Sequence, residues 1–303
     1  MATLYTQAES NTRKTFLLIA AFLVIFIALG WLFSYLLNDN TFLIIAVVLA
    51  VGQSFASYWY SDKIVLAMSR AKEVRHDENP EVYHTVENLC IAAGLPKPRI
   101  YIINEAQPNA FATGRDKNHA VVVVTEGLLQ KLNKTELEGV IAHELSHIGN
   151  RDILLGTAIV VLAGIIAMVS SFFLRISFWG GGRGRSSNKG SGHLGLILLA
   201  LGIVSAILAP IVAKMIQLAI SRKREFLADA DGALLTRYPE GLASALEKIA
   251  SDANPLKVAS NSTAHLYIAN PFRGEQSQNW ITKLFSTHPP AKERIKILRQ
   301  MSF

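Results

Sequence analysis

The chain has 303 residues, half of them apolar, and its mean hydropathy of +0.29 is high for a water-soluble protein, so membrane segments have to be sought first. Thirty Lys and Arg against 23 Asp and Glu give a formal charge of +7, but the bases gather at the edges of apolar runs, where lipid headgroups would meet them, and this argues against nucleic acid as a partner. The single cysteine, Cys90, excludes an internal disulfide, fits a reducing compartment and reads as a small core residue.

Residues 15–37 and 41–60 are apolar runs of 23 and 20 residues, each long enough for a hydrocarbon core of about 30 Å. Only "NDN" separates them, so residues 1–60 are expected to form an N-terminal transmembrane hairpin. The first run is too long for a signal-peptide core and has no small-residue cleavage site, and it is expected to be retained as an anchor. Residues 61–152 are mixed in character. There "PEVYHTVENLCIAAG" reads as a helix ending at Gly94, and "RIYIIN" and "HAVVVVTEGLL" read as strands flanking "EAQPNAFATGRDKN", a connection or short edge strand. In "KTELEGVIAHELSHIGNRD" Leu137, Ile141, Leu145 and Ile148 recur at helical spacing, with Thr135 and Glu138 read as a capping box. No break signal parts this helix from a third apolar run at 153–174, so one continuous helix, half outside the bilayer and half within it, is expected. A fourth run, 194–213, contains Pro210 and closes a second hairpin over 153–220, and residues 221–303 supply a second polar segment. The expected fold is an α-helical membrane protein with four apolar helices in two hairpins, carrying one mixed α+β, mainly helical domain built from both polar segments.

Flanking charge sets the orientation. Arg13 and Lys14 precede the first run, only Asp39 lies in the turn, and Lys63, Arg70, Lys72 and Arg75 follow the second run, which places both polar segments in the cytosol. The loop between the third and fourth runs departs from this rule with Arg175, Arg183, Arg185 and Lys189 and no acid, leaving a re-entrant second hairpin as the alternative to full crossing.

In "HELSH", His143 and His147 lie four apart on a helix, so their imidazoles project from one face about 5–6 Å apart and can share one metal. Glu144 beside them is placed to take the proton of a metal-bound water, the work this motif does in metallohydrolases. A catalytic zinc wants a third protein ligand. The candidate is "SRKREFLADADGA", where Glu225 and Asp229 are spaced to act as ligand and orienting partner on one helix face, although the same pattern suits a charged helix end at a membrane boundary. Glu225 reaches the histidines only if runs three and four return the chain to the same side. The depths agree, at roughly 9–15 Å before the third run for the histidines and roughly 18 Å beyond the fourth for Glu225.

Together "HELSH", "SRKREFLADADGA", the upstream "QPNAFATG" and the late "STHPP" occur in an order that resembles the HtpX family of membrane-bound zinc metalloproteases, over nearly the whole chain. The resemblance implies a zincin-type endopeptidase of the bacterial inner membrane with one zinc per chain, cutting damaged or misassembled membrane proteins and unfolded polypeptides from the cytosolic side. It implies His143, His147 and Glu225 as zinc ligands, Glu144 as general base and Asp229 as the acid that orients a ligand histidine. It also implies a substrate bound as an added strand along Asn109, Ala110, Phe111, Ala112, Thr113 and Gly114. His288 either stabilises the oxyanion of the transition state or caps the final basic helix ahead of Pro289 and Pro290. The competing class is a non-catalytic membrane scaffold that uses zinc to hold its helices together.

Overall fold

The computed structural model describes residues 4–164, 166, 222–260, 262–272 and 289–302. Helices α1 (Leu4–Leu37) and α2 (Thr41–Trp59) form an antiparallel hairpin whose turn places Asn38 at a φ of 51° and ties the Thr41 N–H to Asp39 Oδ1 at 2.9 Å. Gly30 lets the two backbones approach, because a Cβ there would lie 2.2 Å from Ala46 Cβ. The outward faces remain apolar and exposed at Leu17, Val24, Trp31, Ile44 and Val48, as lipid contact requires. Among the described residues these are the two helices long and apolar enough to cross a membrane. The fourth run and the basic loop lie outside the described residues.

The chain continues through α3 (Ser61–Met68) and the short strand β1 (Lys72–Glu73) to α4 (Pro80–Ala93). Helix α4 starts where the Asn79 side chain accepts the Val82 N–H ahead of Pro80, and it stops at Gly94, which takes the left-handed φ of 64°. Strands β2 (Arg99–Ile103), β3 (Ala110–Gly114) and β4 (Ala120–Thr125) complete a four-stranded sheet in the order β1-β2-β4-β3. Strands β2 and β4 pair in parallel and β3 pairs antiparallel to β4, so β3 is an edge.

The valine run of β4 is buried on both faces, and the period of two divides it between two cores. Val122 and Val124 face Val140, Ile141, Leu145 and Leu246, whereas Val121 and Val123 face Val65, Phe111, Val160 and Tyr267. Each such side chain contributes about 1.5–3 kcal/mol on leaving water. The "TEGLL" that reads as strand is instead the start of helix α5 (Glu126–Lys131), because Thr125 Oγ1 caps it by accepting the Leu128 N–H.

Helix α6 (Lys134–Gly149) carries the histidines. Its capping box is Asn133 with Glu136, not Thr135 with Glu138: Asn133 Oδ1 accepts the Glu136 N–H and the Glu136 carboxylate accepts the Asn133 N–H. The expected continuous helix into the third run is not formed. The chain turns at Asn150 and at Arg151, whose φ is 55°, and α7 (Asp152–Gly164 as far as described) leaves α6 at 83°. Over this length α7 is buried inside the protein, with Leu155, Ile159 and Leu162 packed on Leu18, Phe22, Phe26 and Leu29 of α1. Helices α8 (Arg222–Thr236) and α9 (Pro239–Ser251) pack on α6, and α10 (Ala291–Arg299) packs on both. The close approach of α8 to α6 needs Gly232, where a Cβ would stand 3.0 Å from the His143 backbone nitrogen.

Candidate metal centre and active site

Helical spacing brings His143 and His147 together on one face of α6, and the packing of α8 against that face adds Glu225. The two Nε2 atoms lie 3.2 Å apart, His147 Nε2 is 3.7 Å from Glu225 Oε1, and His143 Nε2 is 3.9 Å from Glu225 Oε2. Three ligand atoms within 4.8 Å of one another form the metal-binding group found among the described residues. Ligands on a tetrahedral zinc at about 2.0–2.1 Å stand about 3.3 Å apart, so this triangle fits such an ion with little adjustment.

Each histidine presents Nε2 because its Nδ1 is held by a carboxylate. Asp229 Oδ1 lies 3.0 Å from His143 Nδ1 and Asp152 Oδ2 lies 3.0 Å from His147 Nδ1, an arrangement that sets the tautomer and makes Nε2 a better ligand for a metal. Asp229 is itself clamped: Arg294 of α10, 1 % exposed, donates Nε to Oδ2 at 2.8 Å and Nη2 to Oδ1 at 2.6 Å, and its Nη1 donates to the Ile268 carbonyl at 2.9 Å.

The metal-free electrostatics follow from burial and these pairings. Burial lowers His143 to about 4, so it is neutral at pH 7 despite Asp229. For His147 burial also acts downward and is the largest single effect, but Asp152, Glu225 and Glu144 together outweigh it and raise the group to about 9. Glu144 is raised to about 7, chiefly by burial, with Glu225 adding to the rise and His147, Arg294 and the Ala112 amide opposing it. Its Oε1 is buried and has no hydrogen-bond partner among the described residues. A cavity of about 50 Å³ opens there between Glu144, His143, His147, Glu225, Ala112 and His265.

The edge strand divides. Ala112 lines the cavity, whereas Phe111 packs on Tyr267 in the opposite layer and Thr113 Oγ1 lies 2.9 Å from Thr157 Oγ1. Asn109 is buried and serves as a local brace, its Nδ2 donating to the Ala269 carbonyl at 3.1 Å. By antiparallel alternation Ala110, Ala112 and Gly114 point their backbone groups outward. The Ala110 carbonyl already accepts the Ile268 N–H at 2.9 Å, and the Gly114 N–H donates to Thr157 Oγ1 at 3.3 Å. Ala112 is therefore the part of the edge that faces the site. Gly114, at a φ of 140°, also cannot carry a side chain because a Cβ would meet the His119 carbonyl oxygen at 2.3 Å. His288 lies outside the described residues. Sequence reasoning missed Asp152, read as a span boundary, and Arg294. The signals were an acid five residues after His147 and an arginine four before buried Leu298 on the inner face of α10.

The family model for Peptidase family M48 matches residues 76–302. The chain belongs to peptidase family M48. This M48 peptidase is 46 % identical over 301 residues to a Protease HtpX homolog of Thermoanaerobacter pseudethanolicus, covering 99 % of this chain and 98 % of that one. It is 50 % identical over 262 residues to a Protease HtpX homolog of Syntrophobacter fumaroxidans, with 86 % and 89 % covered, and 41 % identical over 300 residues to one of Streptococcus uberis, with 98 % and 100 % covered. Among solved structures it is similar to S. mikatae Ste24p, with a TM-score of 0.48 and 19 % identity over 97 % of this chain and 66 % of the other. The M48 peptidase is a membrane-bound metalloprotease.

Proposed function

We propose that this M48 peptidase is a zinc-dependent endopeptidase that cuts damaged, misassembled or unfolded polypeptides at the cytosolic face of the bacterial inner membrane. The observation that carries this reading is the convergence of His143, His147 and Glu225 beside a buried Glu144 whose Oε1 has no hydrogen-bond partner among the described residues. One zinc per chain would be held by those three side chains, and when bound it supplies Lewis-acid polarisation of a water and of the scissile carbonyl. Glu144 Oε1 accepts a proton from the attacking water and returns it to the departing amine. Asp229 and Asp152 hold the imidazoles in place, and the Ala112 carbonyl offers a main-chain hydrogen bond to an extended substrate, its N–H being engaged by Glu144. Segments 61–152 and 221–303 would form one cytosolic zincin-type domain hung from hairpins at 1–60 and 153–220, with transition-state stabilisation by His288 as a further element.

Purified full-length protein in detergent is expected to cleave an unfolded soluble substrate, to lose that activity on treatment with a zinc chelator and to regain it with added zinc. Cleavage that persists in chelator-treated, zinc-free protein would overturn the reading.

Orientation has its own test in a Cys90-free background. Cysteine at Asp39, at the exposed tip of the first hairpin, should react with an impermeant thiol reagent added to intact cells, and cysteine at exposed Lys134 only after the membrane is opened. Cysteines at Ser186 and Ser191 apply the same measurement to the second hairpin: labelling from outside means full crossing, and labelling only after opening means a re-entrant hairpin.

A further inference from the structure

Helix α1 begins before its apolar run, and a polar turn just ahead of that run reaches the metal centre. Asn11, on that turn, is 0 % exposed. Its Nδ2 donates to Asp152 Oδ1 at 2.6 Å and lies 3.1 Å from the Asn150 carbonyl, while its Oδ1 accepts from Arg224 Nη1 at 3.3 Å. Arg224 Nε in turn lies 3.3 Å from the same Asp152 oxygen. The other Asp152 oxygen holds His147 Nδ1. One carboxylate is thus gripped on Oδ1 by the N-terminal helix and by α8, and on Oδ2 it grips a ligand histidine of α6. Asn150 is also the residue at which the chain turns by 83° from α6 into α7.

A buried amide with no partner costs free energy, and Asn11 finds its partners at Asp152, Asn150 and Arg224, where a hairpin that only anchors the domain has no need of one. We propose that Asn11 is a positioning residue of the metal centre, holding Asp152 so that His147 presents Nε2 correctly, and that the N-terminal membrane helix therefore completes the site and is more than its anchor. The proposal rests on His143, His147 and Glu225 as the ligand set. Carboxylates that orient ligand histidines are worth roughly 10- to 100-fold in metal affinity. A side chain acting through such a carboxylate is expected at the lower end of that range.

The test uses full-length Asn11→Leu, which keeps the size of the side chain and removes its hydrogen bonds, with Thr15→Val as the control. Thr15 is equally buried one turn along, but among the described residues its hydroxyl bonds only to the Asn11 carbonyl of its own helix. Zinc affinity is read by competition with a chromogenic chelator, and ligand geometry by the visible absorption of the cobalt(II)-loaded protein. Asn11→Leu is expected to weaken zinc binding about 10-fold and to alter the cobalt spectrum, with Thr15→Val changing neither. Asn11→Ala carries the same expectation and serves if the leucine variant does not fold. Wild-type affinity and spectrum in a folded Asn11 variant, alongside zinc loss in His147→Ala, would overturn the proposal alone. Undiminished zinc affinity in His147→Ala would overturn the ligand assignment on which it rests. Equal weakening by Thr15→Val would reduce the effect to helix packing and overturn the positioning role.

Discussion

Glu144→Gln is expected to leave the protein folded and metal-loaded while lowering peptide cleavage by at least about 100-fold, the usual cost of losing a general base. Glu144 follows His143 directly, so on α6 it points about 100° away from that ligand and contributes no atom to the group of three. It is 1 % exposed, and Gln fills the same space with a similar hydrogen-bonding outline. What Gln cannot do is accept a proton. Because burial makes the charged carboxylate costly, with the group raised to about 7, the neutral amide is expected to be no less stable at that position. Metal content, thermal unfolding and cleavage of an unfolded substrate, measured on the same preparation, separate chemistry from folding. A Glu144→Gln protein that retains its metal and cleaves at the wild-type rate would remove Glu144 from the mechanism.

Glu225→Ala is expected to abolish activity by a different route, through loss of the metal itself. Wild-type protein should carry about one zinc per chain after dialysis, since three protein ligands with one open position is the catalytic pattern, and the variant should carry close to none. Glu225 is the anionic member of the set. Its removal leaves two imidazoles, and two neutral donors hold a divalent ion far more weakly than three ligands that include a carboxylate. Asp229→Asn, which disturbs a partner of His143 and not a ligand, should fall between the two, at roughly 10- to 100-fold weaker zinc binding. The dependence on pH has a definite sign. His147 in the metal-free protein holds a proton up to about pH 9, and zinc must displace it, so affinity should fall as pH is lowered from 8 to 6. Zinc content of Glu225→Ala equal to wild type would exclude it as a ligand.

Both variants rest on features that were legible before any coordinates. Hydropathy and helical periodicity are local properties, so the two N-terminal spans, the shared face of His143 and His147 and the place of Glu144 beside them could be read from a few turns of chain. The valine run of β4 read as a strand for the same reason, and the packing then covered it on both faces. Local reading failed where a backbone choice was settled by distant atoms. Nothing in "HIGNRDILL" forbids a continuous helix, yet the chain turns there, with Arg151 left-handed and the Asn150 carbonyl met by Asn11 from another helix 139 residues away. Likewise β4 ends at Thr125, whose Oγ1 donates to the Gln107 carbonyl at 2.6 Å, 18 residues away, while accepting the Leu128 N–H that starts α5.

Helix geometry places residues four apart on one face in any fold, so His143 and His147 are a metal-binding pair from the chain alone. What holds them came from packing between helices. Asp152, Arg294 and Asn11 come from a helix start, the last described helix and the N-terminal end of the first span, and their spacing in sequence carries no sign of a common purpose. They meet because a buried charge or amide has to find a partner in a medium of low dielectric, and the packing of α1, α6, α8 and α10 is what supplies each of them with one.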